Sequence, residues 1–430
     1  MKTRSISWVH CLIFACAVVA GIGFSTRDAD ATNGDNLISI GPISRAMGGV
    51  GIAAPQDAIS AVFSNPAAMC FGPYCPGSEF DIGTTIFMPK AKTRINNTAI
   101  DIFSGGALSG DTGWEKSDSD LFFIPAIGIS TPITQNLRFG FAAYGVSGLG
   151  VDYRDKFDLD PLTTPHNQDV YTNLSILKIA PNIAYMVSPN FSIGAAVHID
   201  YGSLDLGEET ESGFGIGGQL GAIYKTGPVS FGLVYVSPQK INHKNVADFD
   251  GDGNNDDLKL ESPQSLGFGI AYEPIPSVLL IETDVKWLNW SDADGYDDFG
   301  WKDQWVFNIG AQYKPTPKLA LRAGYNYGKN PVKENNHWEG FPPETVNVQG
   351  KDVNRFQYEV LRITGFPAVV EHHLTAGIGY QISKSVSLNL GYMHAFKNKL
   401  RETGTFAGLD VSIESSLSED SVDFGLTWRF

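Results

Sequence analysis

Phe191-Ser-Ile-Gly-Ala-Ala-Val-His-Ile-Asp-Tyr201 puts Phe191, Ile193, Ala195, Val197, Ile199 and Tyr201 on one face of an extended chain. Ser192, Gly194, Ala196, His198 and Asp200 fall on the other face. A period of two is the signature of a β-strand. Val422, Phe424, Leu426, Trp428 and Phe430 repeat it at the C-terminus against Asp423, Gly425, Thr427 and Arg429. The unit recurs from about Ser78 onward and predicts strands over 78–92, 119–131, 136–150, 171–187, 190–203, 211–225, 229–243, 258–273, 277–290, 301–314, 318–329, 368–382, 385–398 and 417–430.

The connections alternate in length. Tight turns such as Ser188-Pro189-Asn190, Thr226-Gly227-Pro228 and Ser383-Lys384-Ser385 take turns with the long segments 93–118, 151–170, 244–257, 330–367 and 399–416. Turn residues with fixed or permissive φ suit the former. A soluble sandwich also alternates along its strands, but short turns at one end and long loops at the other belong to a transmembrane barrel. The reading is all-β: an antiparallel transmembrane β-barrel of about 14 strands over 78–430. An even strand number brings both barrel ends to the side of the short turns. Tyr185, Tyr224, Tyr235, Tyr272, Trp287, Trp290, Trp301, Trp305, Tyr313 and Tyr327 fall near strand ends, as two interfacial aromatic girdles require.

Composition agrees. Mean hydropathy is −0.09, and after the first 24 residues no apolar run reaches the ~18 residues a spanning helix needs. Lys2 and Arg4, the apolar Cys11–Phe24 stretch and Ala29-Asp30-Ala31 predict a signal peptide over 1–31, cleaved on export. A formal charge of −16 excludes nucleic acid as a partner. Of four cysteines, Cys11 and Cys16 lie in the signal. An oxidising periplasm predicts a small disulfide loop between Cys70 and Cys75.

Residues 32–77 do not alternate and are too few for a core of their own. They are expected to pack inside something larger, with a short helix near Pro55–Phe63. The third strand loses alternation over Ala142–Gly150, and Gly145, Gly148 and Gly150 mark a kink that unpairs the wall and opens a lateral gap. In the loop after 243, Asp248, Asp250, Asp252, Asn254 and Asp256 have the spacing of a Ca²⁺ loop, without a bidentate Glu at the twelfth position, which is Lys259. A structural Ca²⁺ is the one cofactor the sequence suggests. Inward-facing Lys178, His198, Asp200, Glu282, Asp284, Lys286, Arg322 and Arg429 read as paired lumen charges.

Ser44-Arg-Ala-Met-Gly-Gly-Val-Gly51, Asp57-Ala58 and Ser64-Asn65-Pro66-Ala67-Ala68-Met69 resemble the N-terminal hatch of outer-membrane long-chain fatty-acid and aromatic-hydrocarbon transporters of the FadL/TodX type. Arg45, Ala46, Gly49, Gly51, Asn65, Pro66 and Ala67 carry the resemblance; the Cys70/Cys75 pair is foreign to it. It implies a fourteen-stranded barrel plugged by residues 32–77, with Asn65-Pro66-Ala67 as the moving element and exit sideways through a kinked third strand. The implied activity is passive uptake of hydrophobic molecules by a monomer in the bacterial outer membrane, with no enzymatic role. Its loops would face the outside among lipopolysaccharide and lipid, and its hatch and turns the periplasm. The alternatives are a general aqueous porin, which needs no plug, and an outer-membrane hydrolase, for which no G-x-S-x-G nucleophile is present.

Overall fold

The computed structural model describes residues 33–105, 109–154, 156, 170–342 and 344–430; the expected signal peptide over 1–31 lies outside the described residues. The alternating segments form fourteen antiparallel strands: β1 Glu79–Pro89, β2 Phe122–Pro132, β3 Leu137–Asp152, β4 Tyr171–Ser188, β5 Phe191–Asp205, β6 Thr210–Thr226, β7 Val229–Val236, β8 Ser265–Ile275, β9 Leu279–Leu288, β10 Gln304–Thr316, β11 Leu319–Gly328, β12 His372–Gln381, β13 Val386–Phe406 and β14 Leu409–Arg429. Each pairs with the next. β14 returns to β1 with Glu79 opposite Arg429, so the sheet closes and no edge is left open at the seam.

Period two dictates what each face meets. Phe214 and Ile216 on β6 are 71% and 74% exposed, which in water would be an aggregation-prone surface and in hydrocarbon is the matching one. The alternate residues point inward and are buried by the chain before β1. Tyr185, Tyr224, Tyr235, Tyr272, Trp305 and Tyr313 stand on the outer face as expected. Trp290 and Trp301 do not: they are buried with Tyr296 in an aromatic cluster of the connection after β9.

The connections 93–118 and 330–367 hold short strands and helices of their own, and two further segments differ from the periodicity reading. The barrel ladder stops at Val236 and resumes at Ser265, because Pro238 and Pro263 cannot extend it. Between them Gln239–Ala247 and Asp256–Ser262 form a separate hairpin that folds back inside the barrel, with Ile241 against Gly202 and Gly213 of β5 and β6. The segment 399–416, expected as a loop, instead prolongs β13 and β14 into a long hairpin. Ala407 and Gly408 turn it with φ of 54° and 73°, the positive-φ pair of a tight hairpin turn. Its run of charges hid a strand that is paired above the membrane rather than within it.

Residues 33–77 thread the lumen. Helix α1, Pro42–Arg45, is followed by glycines with φ of 70° and 83° at Gly48 and Gly49, a left-handed turn that other residues resist. Helix α2, Ala58–Ser64, starts at an Asp57/Ser60 capping box, and a 3-10 turn, Pro66–Cys70, follows Asn65. The segment packs flat on the wall because the wall is glycine where it touches. A Cβ on Gly310 would lie 2.1 Å from the Met47 carbonyl oxygen. Gly310→Val is therefore expected to leave the barrel heat-modifiable on gels yet displace the hatch, at about 1–3 kcal/mol. Amide exchange over residues 44–52 should accelerate; unchanged exchange would refute the contact.

Candidate functional site

The hatch is held by carboxylates of the barrel wall. Gly51 and Ile52 donate their amides to Asp284 Oδ2 at 2.9 and 3.2 Å. Ala53 and Ala54 donate to Glu282 Oε1 at 2.7 and 3.0 Å. Ala58, at the start of α2, donates to Glu79 and Asp81 at 2.9 and 2.8 Å. Arg45 is fully buried and pairs with Asp423 of β14 at 2.8 Å, with Ser421 Oγ and the Ser39 carbonyl taking further guanidinium donors. A carboxylate placed on a strand's inward face thus satisfies hatch N–H groups that have no helix or sheet partner.

The residues singled out in the hatch motif are brought together. Gly49 offers its carbonyl to Asn308, and Gly51 packs on Ser64. Asn65 Nδ2 reaches the carbonyls of Ile52, Ala222 and Leu233, and its Oδ1 caps the Ala67 amide. Pro66 opens the 3-10 turn, and the Ala67 carbonyl accepts from Ser192 of β5. Asn-Pro-Ala forms a turn, and its contacts clamp that turn to β5, β6 and β7.

The kink in β3 is also present. Below it, Arg138 to Tyr144 pair with β2; beyond Tyr144 no β2 partner follows. On the other side, the ladder with β4 slips between Gly145 and Ser147, leaving Val146 as a bulge. The freed edge is met from inside by the N-terminal segment: Leu37 N–H donates to the Val146 carbonyl and Gly148 N–H to the Asp35 carbonyl, both at 3.2 Å. Gly145 lies at the opening, where a Cβ would stand 2.7 Å from Ile124 Cγ2. Gly148 is engaged by Asp35, and Gly150 is back in register with Asn173.

A cavity of about 1120 Å³ lies along this gap. Phe123, Ile124, Pro125, Gly145 and Leu37 line it, and it continues among outward-facing Ile82 and Phe424. A second cavity, of about 120 Å³, lies in the lumen between Phe63, Tyr144, Val146, His198 and Lys286. Leu37 borders both, so one buried leucine of the N-terminal segment separates lumen from barrel exterior. Nothing in the sequence pattern marks it, since Leu37 lies in a stretch without period. The lumen charges are partly paired: Lys178 with Asp200 at 3.1 Å, and Arg429 with Glu79. Glu282 and Asp284 serve the hatch instead.

Two expected pairings read differently. Cys70 and Cys75 are free thiols, not a disulfide. Cys70 ends the 3-10 turn in the hatch core, where burial pushes its thiol up to about 11. The Cys75 thiol turns to the Met69 carbonyl, 3.1 Å away. In the acidic loop the carboxylates of Asp248, Asp250 and Asp256 converge to within 4.8 Å. Asp252 faces away and caps Asn254. The Lys351 ammonium already sits on Asp250 and Asp256 at 3.1 and 2.6 Å.

A closed barrel with a carboxylate-held plug and an opening in its wall defines a class: an outer-membrane transport channel. The family model for outer membrane protein transport proteins (OMPP1/FadL/TodX) matches residues 31–248 and 206–342. The chain belongs to that family. Its fold is similar to the Pseudomonas putida toluene transporter TodX, 19% identical, covering 91% of this chain and 99% of that one, TM-score 0.62. It is also similar to a Pseudomonas aeruginosa FadL homologue, 14% identical over 92% and 99% of the two chains, TM-score 0.64. The Ralstonia pickettii toluene transporter TbuX is 18% identical over 91% and 98%, TM-score 0.59. No curated protein matches the sequence.

Asp35 ties the N-terminal segment to the outside. Tyr296 donates its hydroxyl to Asp35 Oδ2, and burial raises the Asp35 carboxyl from 3.8 to about 6. A raised carboxyl pKa means the folded form holds the proton more tightly. Burial of this carboxyl therefore costs least in acid, where it is protonated; the stability falls as pH rises between the two values and is flat above about 6. The loss amounts to roughly 3 kcal/mol at most. The protection factor at Leu37, its exchange rate relative to the intrinsic rate at each pH, should therefore fall from pH 5 to 7, and Asp35→Asn should abolish that fall; an equal fall in the variant would remove Asp35 as its source.

Proposed function

We propose that this protein carries hydrophobic molecules, long-chain fatty acids or aromatic hydrocarbons, passively into the outer membrane. A solute enters from the loop side, reaches the lumen cavity above the hatch, and leaves through the wall at β2–β3 into lipid. The observation that carries the reading is the unpaired edge of β3 after Tyr144, opening on an apolar cavity of about 1120 Å³ that Leu37 guards. A route along apolar walls spares an apolar solute any passage through periplasmic water. That TodX and TbuX are toluene transporters supports the aromatic branch. We read residues 1–31 as a cleaved signal and the unit as a monomer, its loops in lipopolysaccharide, and assign it no reaction.

In this mechanism Leu37 yields first. It is held by one hydrogen bond to β3 and by the Asp35 contacts, whereas α1 is anchored by the buried Arg45–Asp423 pair. Displacing Leu37 costs less than breaking that pair, which by itself would cost about 3–5 kcal/mol. Asn65-Pro66-Ala67 limits how far the plug follows. Gly145→Leu should fill the opening and lower uptake of labelled oleate and toluene by roughly ten-fold, with Leu37→Ala raising it. If both variants take up solute at the wild-type rate while small sugars pass freely, the aqueous-porin reading replaces this one.

We further propose that Asp248, Asp250 and Asp256 bind Ca²⁺ at the cell surface in competition with Lys351. Lys351→Ala removes the competing ammonium and should tighten Ca²⁺ in a calorimetric titration. Flat traces for the wild type and the variant alike would leave only the ion pair.

A further inference from the structure

At the end of the barrel that carries the short turns, a cavity of about 70 Å³ opens between the hatch and the inner wall of β10 to β14. Its lining is basic in a chain whose formal charge is −16: Lys314 from the end of β10, Lys318 from the β10–β11 turn, Arg322 from β11 and Arg429 from β14. Arg429 is spent on Glu79. Arg322 is not spent on any carboxylate. It is 8% exposed, and its Nε and Nη1 donate only to the amide oxygens of Gln312 and Asn389, at 2.8 and 3.0 Å. Among the described residues Nη2 has no protein acceptor, and neither lysine has an ion-pair partner. Gly379 leaves the guanidinium its room, since a Cβ there would come within 2.9 Å of Nη1.

The buried Asp57 carboxylate acts on Arg322 only at longer range; a buried guanidinium with no carboxylate in contact is costly, and a fork of donors beside two ammonium groups matches an oxyanion. We propose that this basic cavity is a binding site for a small oxyanion, a carboxylate or phosphate group, held by Arg322, Lys314 and Lys318. The site adjoins the hatch, because Gln312 Nε2 also donates to Gln56 Oε1 at 2.8 Å. An anion on Arg322 therefore presses on the residue next to the Asp57 cap of α2 and couples periplasmic ligand to plug position. The inference is independent of which solute is carried.

The test uses the purified full-length barrel in a non-ionic detergent at low salt. Inorganic phosphate and octanoate are titrated calorimetrically into wild type, Arg322→Met, Lys314→Gln and the exposed-turn variant Lys318→Gln. Saturable binding of either probe should weaken roughly ten-fold in Arg322→Met and Lys314→Gln, by a smaller factor in the exposed Lys318→Gln, and fade with added salt. Phosphate alone would mark a periplasmic ion as the ligand, and octanoate alone a solute head group. Should Arg322→Met misassemble on heat-modified gels, the Lys314→Gln and Lys318→Gln pair decides. Absence of saturable binding in the wild type, or equal binding in every assembled variant, overturns the site.

Discussion

Everything in this structure hangs on backbone amides of the hatch that end on buried carboxylates of the wall. Glu79, Asp81, Glu282 and Asp284 each project from a strand's inward face and accept N–H groups from residues 51–58. Asp423 does the same for the Arg45 guanidinium. In a lumen with little water, an irregular segment of this length would otherwise leave its donors unsatisfied. The carboxylates solve that problem and make the plug an integral part of the barrel. A plug so fixed cannot simply fall out toward the periplasm, which is why the proposed passage lies where the wall itself is weak.

The weak place follows from the same chemistry. β3 leaves β2 after Tyr144, and its orphaned groups are met from within by Asp35 and Leu37. The barrel therefore heals its own defect with a few residues of the N-terminal segment. Such a repair is far easier to undo than the Arg45–Asp423 anchor. In the proposed mechanism the difference in strength between the two contacts decides which part of the hatch moves first and directs an apolar solute sideways. Polar and charged hatch anchors on one side and an apolar cavity on the other divide the molecule into a fixed and a yielding half.

Much of the fold was legible in the sequence because a half-buried strand writes its two faces into alternate residues. All fourteen strands fall where period two put them. The exceptions have local causes. Pro238 and Pro263 cut the ladder where alternation ran on, and the charges of Lys397–Glu402 disguised a paired hairpin as a loop. The hatch motif was readable as a resemblance, and the kink at Gly145 as a loss of period. Leu37, Asp35 and the Trp290 cluster were not readable, because contacts between an aperiodic segment and a distant loop leave no spacing in the chain. The free thiols of Cys70 and Cys75 show the same limit, since proximity in sequence does not fix where two side chains point.

The central claim is the sideways path, and the most direct measurement is photo-crosslinking with a long-chain diazirine solute followed by peptide mapping. The account predicts adducts on Leu37, Ile124 and Tyr144, on both sides of the partition at β2–β3. Adducts running instead along residues 65–77 to the periplasmic rim, with none at Ile124, would contradict it.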